Sequence, residues 1–179
     1  MYRLFVAIDL PEQIKAETAS FGRTLTGARW VPPEQLHLTL RFIGDTDEET
    51  FQGIRSALGS IGGAPFPLAL RGTGHFPPGK EARVLWIGME ENPELAELQR
   101  RVERSVVAAG IAAEARRFSP HLTIARLRNT PPEELRNWEQ RHAAVRYPVF
   151  PVEEFHLYSS ILTRDGAIHR REATYPLAG

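Results

Sequence analysis

The sequence predicts an α+β fold made of two duplicated β-α-β-β-α-β halves, with antiparallel sheets around a central cleft and a pseudo-two-fold relation between the halves. Three observations carry this. The phrase His37-Leu38-Thr39-Leu40 returns as His121-Leu122-Thr123-Ile124, at an offset of 84 residues. Helix openings at Pro11 and Pro93 stand at an offset of 82, so the repeat extends well beyond the two tetrads. With 6 His in 179 residues, chance supplies such a tetrad roughly 0.06 times per chain, so two of them mark a duplication.

The elements follow in order. Leu4 to Leu10 is a β-branched and aromatic run that reads as a strand, and Pro11-Glu12 opens a helix to about Leu25, proline being harmless in a first turn. A short strand near Ala28 to Val31, a strand Leu36 to Ile43, a Gly44-Asp45 turn, a helix from about Asp47 to Ile61 and a strand Pro67 to Arg71 complete the first half. Gly72 to Lys80 is rich in Gly and Pro and reads as a surface loop. The second half repeats the order. Arg83 to Met89 is a strand, and Asn92-Pro93-Glu94 starts a helix with Leu95, Leu98, Val102 and Val106 on one face and Gly110 as its left-handed stop. An extended piece at Arg116 to Phe118 precedes the strand His121 to Leu127. Thr130-Pro131-Pro132-Glu133 caps a helix to about Arg141, and Val149 to Tyr158 returns as a strand. Phe155 to Leu162 and Ala167 to Tyr175 then flank Arg164-Asp165-Gly166 as a hairpin without a counterpart in the first half. Residues 1–179 thus form a single two-lobed domain, with the repeat at about 2–71 and 83–158 and the C-terminal hairpin at 155–175.

Composition limits the function. Lys+Arg 22 against Asp+Glu 22 leaves no net charge, which argues against wrapping long duplexes through their phosphates; nucleic-acid contact has to be local. Zero cysteines exclude disulfides, thiolate zinc sites and cysteine nucleophiles. The apolar run at the start is short and meets Asp9 and Pro11 at once, unlike a signal peptide, and no stretch has the length of a membrane span. The expectation is a soluble, cytoplasmic, monomeric protein with no membrane partner.

On a strand, His37 and Thr39 point to one face and the apolar residues between them to the other; the same holds for His121 and Thr123. Two such strands facing each other offer two imidazoles and two hydroxyls to one cleft, a set suited to moving a pair of protons around an anion such as a phosphodiester, with neither role needing a metal or cofactor. The hydroxyls can donate to non-bridging oxygens. Arg41 has the parity to join His37 and Thr39 and to stabilise developing charge. Arg126 has the opposite parity to His121 and reaches the cleft only if the strand bends or ends at Ala125. His75 reads as a loop residue, His142 as a cation at a helix end, and His169 as part of a solvated basic run with Arg170 and Arg171. His156, Tyr158 and Ser160 alternate along one strand face, bordering the cleft or facing solvent. Trp30, Trp86 and Trp138 read as core.

These residues resemble the 2H phosphoesterases, and within them the RNA 2′,3′-cyclic phosphodiesterases also called 2′-5′ RNA ligases. The resemblance runs through Arg3 to Ile8 with Pro11, Gln35 to Gly44, Gly74 to Pro77, Arg83 to Gly88, Phe118 to Arg126, and Leu157 to Leu162 before Gly166. It implies a bilobal α+β fold with a cleft lined by both motifs, and an enzyme that opens a 2′,3′-cyclic phosphate, on RNA ends or small cyclic nucleotides, to a 2′-phosphomonoester. By the same resemblance His37 is the proton donor, His121 the proton acceptor, and Thr39, Thr123 and Arg126 bind phosphate. Ser119 departs from the arginine or lysine frequent at that position in relatives. Two alternatives stand beside this expectation: a 2′-5′ RNA ligase running the reaction in reverse, and a nucleotide-binding domain without catalysis.

Overall fold

The computed structural model describes all residues other than 22, 23, 80 and 179. The strands among them are β1 (Tyr2–Asp9), β2 (Ala28–Trp30), β3 (His37–Thr46), β4 (Phe66–Leu68), β5 (Leu70–Phe76), β6 (Val84–Met89), β7 (Leu122–Leu127), β8 (Phe150–Val152), β9 (Glu154–Thr163) and β10 (Gly166–Pro176), with helices α1 (Glu12–Ala19), α2 (Glu48–Leu58), α3 (Pro93–Ala108) and α4 (Pro132–His142) and a 3-10 turn at Pro33–Gln35. Among the described residues no helix is long and apolar enough to cross a membrane.

Strand alternation builds the layers. β1 sends Leu4, Val6 and Ile8 into the main core, while Phe5 and Ala7 meet Tyr158 in a small second cluster on its other face. The main core lies between the sheets and the helices. It joins Leu38 and Leu40 of β3 and Leu122 and Ile124 of β7 to Ile54 of α2, Val102 of α3 and the fully buried Trp138 of α4. Each such side chain contributes about 1.5–3 kcal/mol by leaving water. α3 forms where the sequence asks for it: the Asn92 side chain accepts from the Leu95 N–H at 3.0 Å, Pro93 occupies the first turn, and Gly110 follows at φ +105°.

Two four-stranded sheets result, in the orders β10-β9-β1-β3 and β2-β7-β6-β5, and β4 pairs with β8 in a separate two-stranded sheet. All the strand pairs are antiparallel. The pseudo-two-fold maps β3-β1-β9 onto β7-β6-β5, with β3 and β7 adjoining across the lobes. The spatial lobes are therefore not the sequence halves. β5 follows the first half but completes the second sheet, and β9 follows the second half but completes the first. Each lobe keeps one strand without a counterpart, β10 in the first and β2 in the second.

Some elements depart from the expectation. Gly72 to Phe76 is not a loop but most of β5, because Gly74 lies directly on the Trp86 indole: a Cβ there would sit 2.2 Å from Cζ2. Of the glycines that suggested a turn, Gly74 serves a close approach between strands, whereas Gly72 has open space and a φ of +75°. α1 stops at Ala19, and the rest of the expected helix includes residues outside the described ones. Arg116 to Phe118 makes no strand. Thr130 does not cap α4; its hydroxyl donates to the Thr26 carbonyl at 2.7 Å instead.

Candidate active site

β3 begins at His37 and β7 at Leu122, and both strands carry their motif on the face opposite the core. In β3, His37 and Thr39 pair with Asp9 and Ala7 of β1. The register then skips a residue, so that Val6 faces Arg41 and Leu40 is extra. Such a bulge inverts the parity of everything beyond it. Arg41 is thereby turned to the core side, opposite to the expectation. It is 6% exposed, bonded through Nε to Glu103 Oε2 at 2.5 Å and through Nη2 to the Ala112 carbonyl at 2.6 Å, and so ties β3 to α3 rather than serving the cleft.

β7 skips a residue at the same point of its motif. Trp86 pairs with Thr123 and Leu85 with Ala125, leaving Ile124 extra. Here the inversion brings the following arginine out: Arg126 is exposed on the face of Thr123 and Trp86. The bulge supplies the bend that straight-strand parity lacked and sets Arg126 on the face of Thr123. The position matching Arg126 in β3 is Phe42, a residue 54% exposed.

The two imidazoles occupy unlike surroundings. His37 has a side chain only 7% exposed, its ring centroid is 4.5 Å from that of Tyr158 and 5.5 Å from that of His169, and its Nε2 lies 3.9 Å from Asp9 Oδ1. Burial above all pushes its pKa down to about 4, against the pull of the Asp9 carboxylate and with further lowering by His169, Lys15 and Arg171. Asp9 is itself held between Lys15 Nζ at 3.0 Å and Arg171 Nη2 at 2.9 Å; burial favours its protonated form, but the Lys15 ammonium, with His37 and the Leu10 N–H, prevails and its pKa lies below the ordinary value. His121 stands at the mouth of the second lobe, edge-on to Phe76 at 5.0 Å and near Trp86 at 6.5 Å. Its Nδ1 is 2.7 Å from the Ser119 carbonyl. A carbonyl can only accept, so Nδ1 carries the proton, and in the neutral ring the lone pair is on Nε2.

Of the neighbours of the two motifs, the sequence reading missed some and left others open. His169 is not part of a solvated strand: it lies edge-on to Phe5 at 5.0 Å beside His37, and burial lowers its pKa. Tyr158 stacks on Phe5, stands beside His37 and has Arg171 over its ring. His156 is buried, with Nε2 3.1 Å from Glu154 Oε2. Trp86 lines the cleft rather than the core, whereas Trp138 is core as expected and Trp30 packs partly buried against it. His75 is on β5, half-buried, with Nδ1 2.6 Å from Glu139 Oε1. The alternation of His156, Tyr158 and Ser160 was the available signal for the first-lobe wall; the register of β10 against β9, which sets His169 opposite Ser160 and Arg171 opposite Tyr158, had none.

Comparison with known proteins points one way. The family model of the 2′-5′ RNA ligase superfamily matches residues 10–163. The RNA 2′,3′-cyclic phosphodiesterase of Archaeoglobus fulgidus is 32% identical over 171 residues, covering 94% of this chain and 96% of its own. That of Methanocaldococcus jannaschii is 35% identical over 170 residues, covering 93% and 96%. Among solved structures, a Thermus thermophilus protein superposes with a TM-score of 0.79 at 31% identity, over 99% of this chain and 98% of its own. Escherichia coli LigT complexed with 3′-AMP gives 0.77 at 29% identity, over 99% of both chains.

Proposed function

The chain belongs to the 2′-5′ RNA ligase superfamily, and we propose that it works as an RNA 2′,3′-cyclic phosphodiesterase, a monomer in the cytoplasm acting on cyclic-phosphate RNA ends or small cyclic nucleotides. The observation that carries this reading is the inequality of the two motif histidines, one buried against a carboxylate and the other fixed in orientation by a carbonyl.

With Nδ1–H donated to Ser119, neutral His121 presents Nε2 as a base toward the cleft. Water gives it a proton and attacks phosphorus; the bond from phosphorus to the 3′ oxygen breaks, and that oxygen takes a proton from His37. His37 is neutral in the free protein near pH 7. The anionic substrate adds a second negative charge to that of Asp9, and together they favour the imidazolium, so the acid is loaded as substrate binds. Thr39, Thr123 and Arg126 hold the non-bridging oxygens, and Arg126 offsets the charge that builds on them. The phosphate stays on the 2′ oxygen. Each imidazole has a threonine rather than a carboxylate at its motif partner position, and Cys is absent, so the donor set suits proton transfer more than zinc. Ligation takes the same path with a 5′-hydroxyl in place of water as the nucleophile: the hydroxyl gives its proton to His121, and the 3′ oxygen leaves with a proton from His37.

The test is hydrolysis of each 2′,3′-cyclic mononucleotide and of a short cyclic-ended RNA in the presence of EDTA, followed by phosphorus NMR. The expected product is the 2′-monophosphate alone, at undiminished rate. A 3′ product would exchange the roles of the two histidines, and activity that needs an added divalent metal would sink the mechanism.

A further inference from the structure

β2 is the edge strand of the second sheet and has no counterpart beside β3 in the first. Its register sets Trp30 opposite Ala125 on the core side and Arg29 opposite Arg126 on the cleft side. Both arginines are exposed, and among the described residues neither has a carboxylate or a hydrogen-bond acceptor. Some other arginines find one, as Arg3 with Asp45, Arg41 with Glu103, Arg171 with Asp9, and Arg100, Arg101 and Arg104 around Glu97; what sets Arg29 and Arg126 apart is that they stand directly opposite one another. Like charges directly opposite on antiparallel strands repel and cost stability. An unneutralised pair on the face that carries Thr123 is therefore a standing attraction for anions, on a protein of zero formal net charge.

The position of Arg29 gives that attraction a direction. Its Nη2 would be 3.5 Å from a Cβ placed on Gly166, the turn residue of the β9–β10 hairpin, and the neighbouring Ala167 carbonyl accepts from Gln35 Nε2 at 2.5 Å. Arg29 thus stands where the edge of the second lobe meets the hairpin of the first. A chain leaving the His and Thr groups across β7 passes Arg126 and then Arg29. Neighbouring strands are about 4.8 Å apart, and two flexible guanidinium stems extend that spacing over one nucleotide step. We propose that Arg29 forms a second phosphate subsite, which binds the phosphodiester one nucleotide 5′ of the cyclic end and makes an RNA chain end, rather than a free cyclic nucleotide, the preferred substrate. The proposal rests on the reading of the chain as an enzyme of RNA 2′,3′-cyclic ends.

The test couples one side chain to one phosphate. A fluorescent trinucleotide with a 2′,3′-cyclic end is compared with the same molecule whose last internucleotide linkage is a neutral methylphosphonate. Both binding, by anisotropy, and turnover are measured for wild type, Arg29→Ala, and Arg104→Ala as a charge removed from α3. The neutral linkage should weaken binding and kcat/KM about tenfold in wild type and in Arg104→Ala, but less than about twofold in Arg29→Ala, and the salt slope of log Kd should fall by about 0.7 in Arg29→Ala only. Wild type indifferent to the neutral linkage, or Arg29→Ala still showing the full tenfold loss, overturns the subsite. Loss of the coupling in Arg104→Ala as well would reduce it to a net-charge effect and overturn it too. Turnover of none of the cyclic substrates by wild type would instead break the parent reading, while the anisotropy arm would still decide whether Arg29 reads that phosphate.

Discussion

β3 and β7 carry the same tetrad and the same extra residue after it, at Leu40 and at Ile124, yet the residues displaced by the two bulges do opposite things. In β3 the residue four beyond the histidine is Arg41, turned inward to Glu103, and the next is the exposed aromatic Phe42. In β7 the corresponding residues are the buried Ala125 and the exposed Arg126. One backbone device, filled with different side chains, gives the first lobe a structural cation and an apolar rim and the second lobe a cationic rim. The histidines diverge likewise: His37 is enclosed by Tyr158, His169 and Asp9, while His121 stands by Phe76 and its Ser119 bond. Duplication supplied two similar half-sites, and the reaction proposed here uses their difference, since an acid and a base must not be alike.

The strongest way to break this comparison is to remove each imidazole. His37→Ala and His121→Ala should each lower kcat on a cyclic-ended substrate by between about a hundredfold and ten-thousandfold, and the double variant should be little worse than either single one, because one proton in and one proton out form a single unit. Single variants that keep a tenth of the activity, or a double variant slower by the product of the two losses, would mean that the half-sites work independently. His142→Ala, at the end of α4 and stacked on Trp138, tests the background against which these losses are read.

The enclosure of His37 should also be visible without substrate. Its folded pKa of about 4 lies below the unfolded value near 6.5, so the native state holds it neutral while the unfolded chain takes up a proton below that value. The stability tied to it is complete above pH 6.5 and is lost as pH falls through 4, about 3 kcal/mol in all. Urea unfolding at pH 7 and pH 4 should therefore show wild type losing about that much more than His37→Gln. A residual slope in the variant belongs to His156 and His169, which burial shifts in the same direction, and to carboxylates that their partners hold below the ordinary value, Asp9 and Glu103 among them. Identical pH slopes in wild type and His37→Gln would show that the first half-site is as open as the second.

Much of this could be read before the fold was seen, and what could not has local physical causes. The duplication, the helices and the face of His37, Thr39, His121 and Thr123 follow from periodicity, because burial on one side enforces it. Arg41 and Arg126 were both judged by straight-strand parity, and one skipped residue in each register reversed the outcome for both. A bulge has no side-chain signature here, since Leu40 and Ile124 are ordinary strand residues. Gly74 misled in another way: it signalled a loop where it provides clearance for Trp86. His169 and Arg171 entered the site through long-range pairing of β10, which no local pattern encodes.

The corrected role of Arg41 separates the two lobes in stability rather than rate. Arg41→Met should cost about 2 kcal/mol, because it leaves Glu103 and the Ala112 carbonyl without their partner in a half-buried place. The measured melting temperature should drop while kcat of the folded enzyme stays close to wild type. A kcat loss without a stability loss would return Arg41 to the cleft.

The finest distinction is between the two rim residues that the bulges expose. Arg126 meets developing charge, so Arg126→Ala should lower kcat and kcat/KM together, by about thirtyfold. Phe42 is an exposed ring beside Phe5 in register, with nothing apolar to bury it from above, and a nucleobase has the flat apolar face to do so. Phe42→Ala should raise KM about tenfold with kcat nearly unchanged, and the effect should vanish on a cyclic ribose phosphate that lacks a base, because a stacking partner is then absent in both proteins. If Phe42→Ala instead mirrors Arg126→Ala by lowering kcat, the rims are functionally equivalent and the division of labour between the two lobes ends at the histidines.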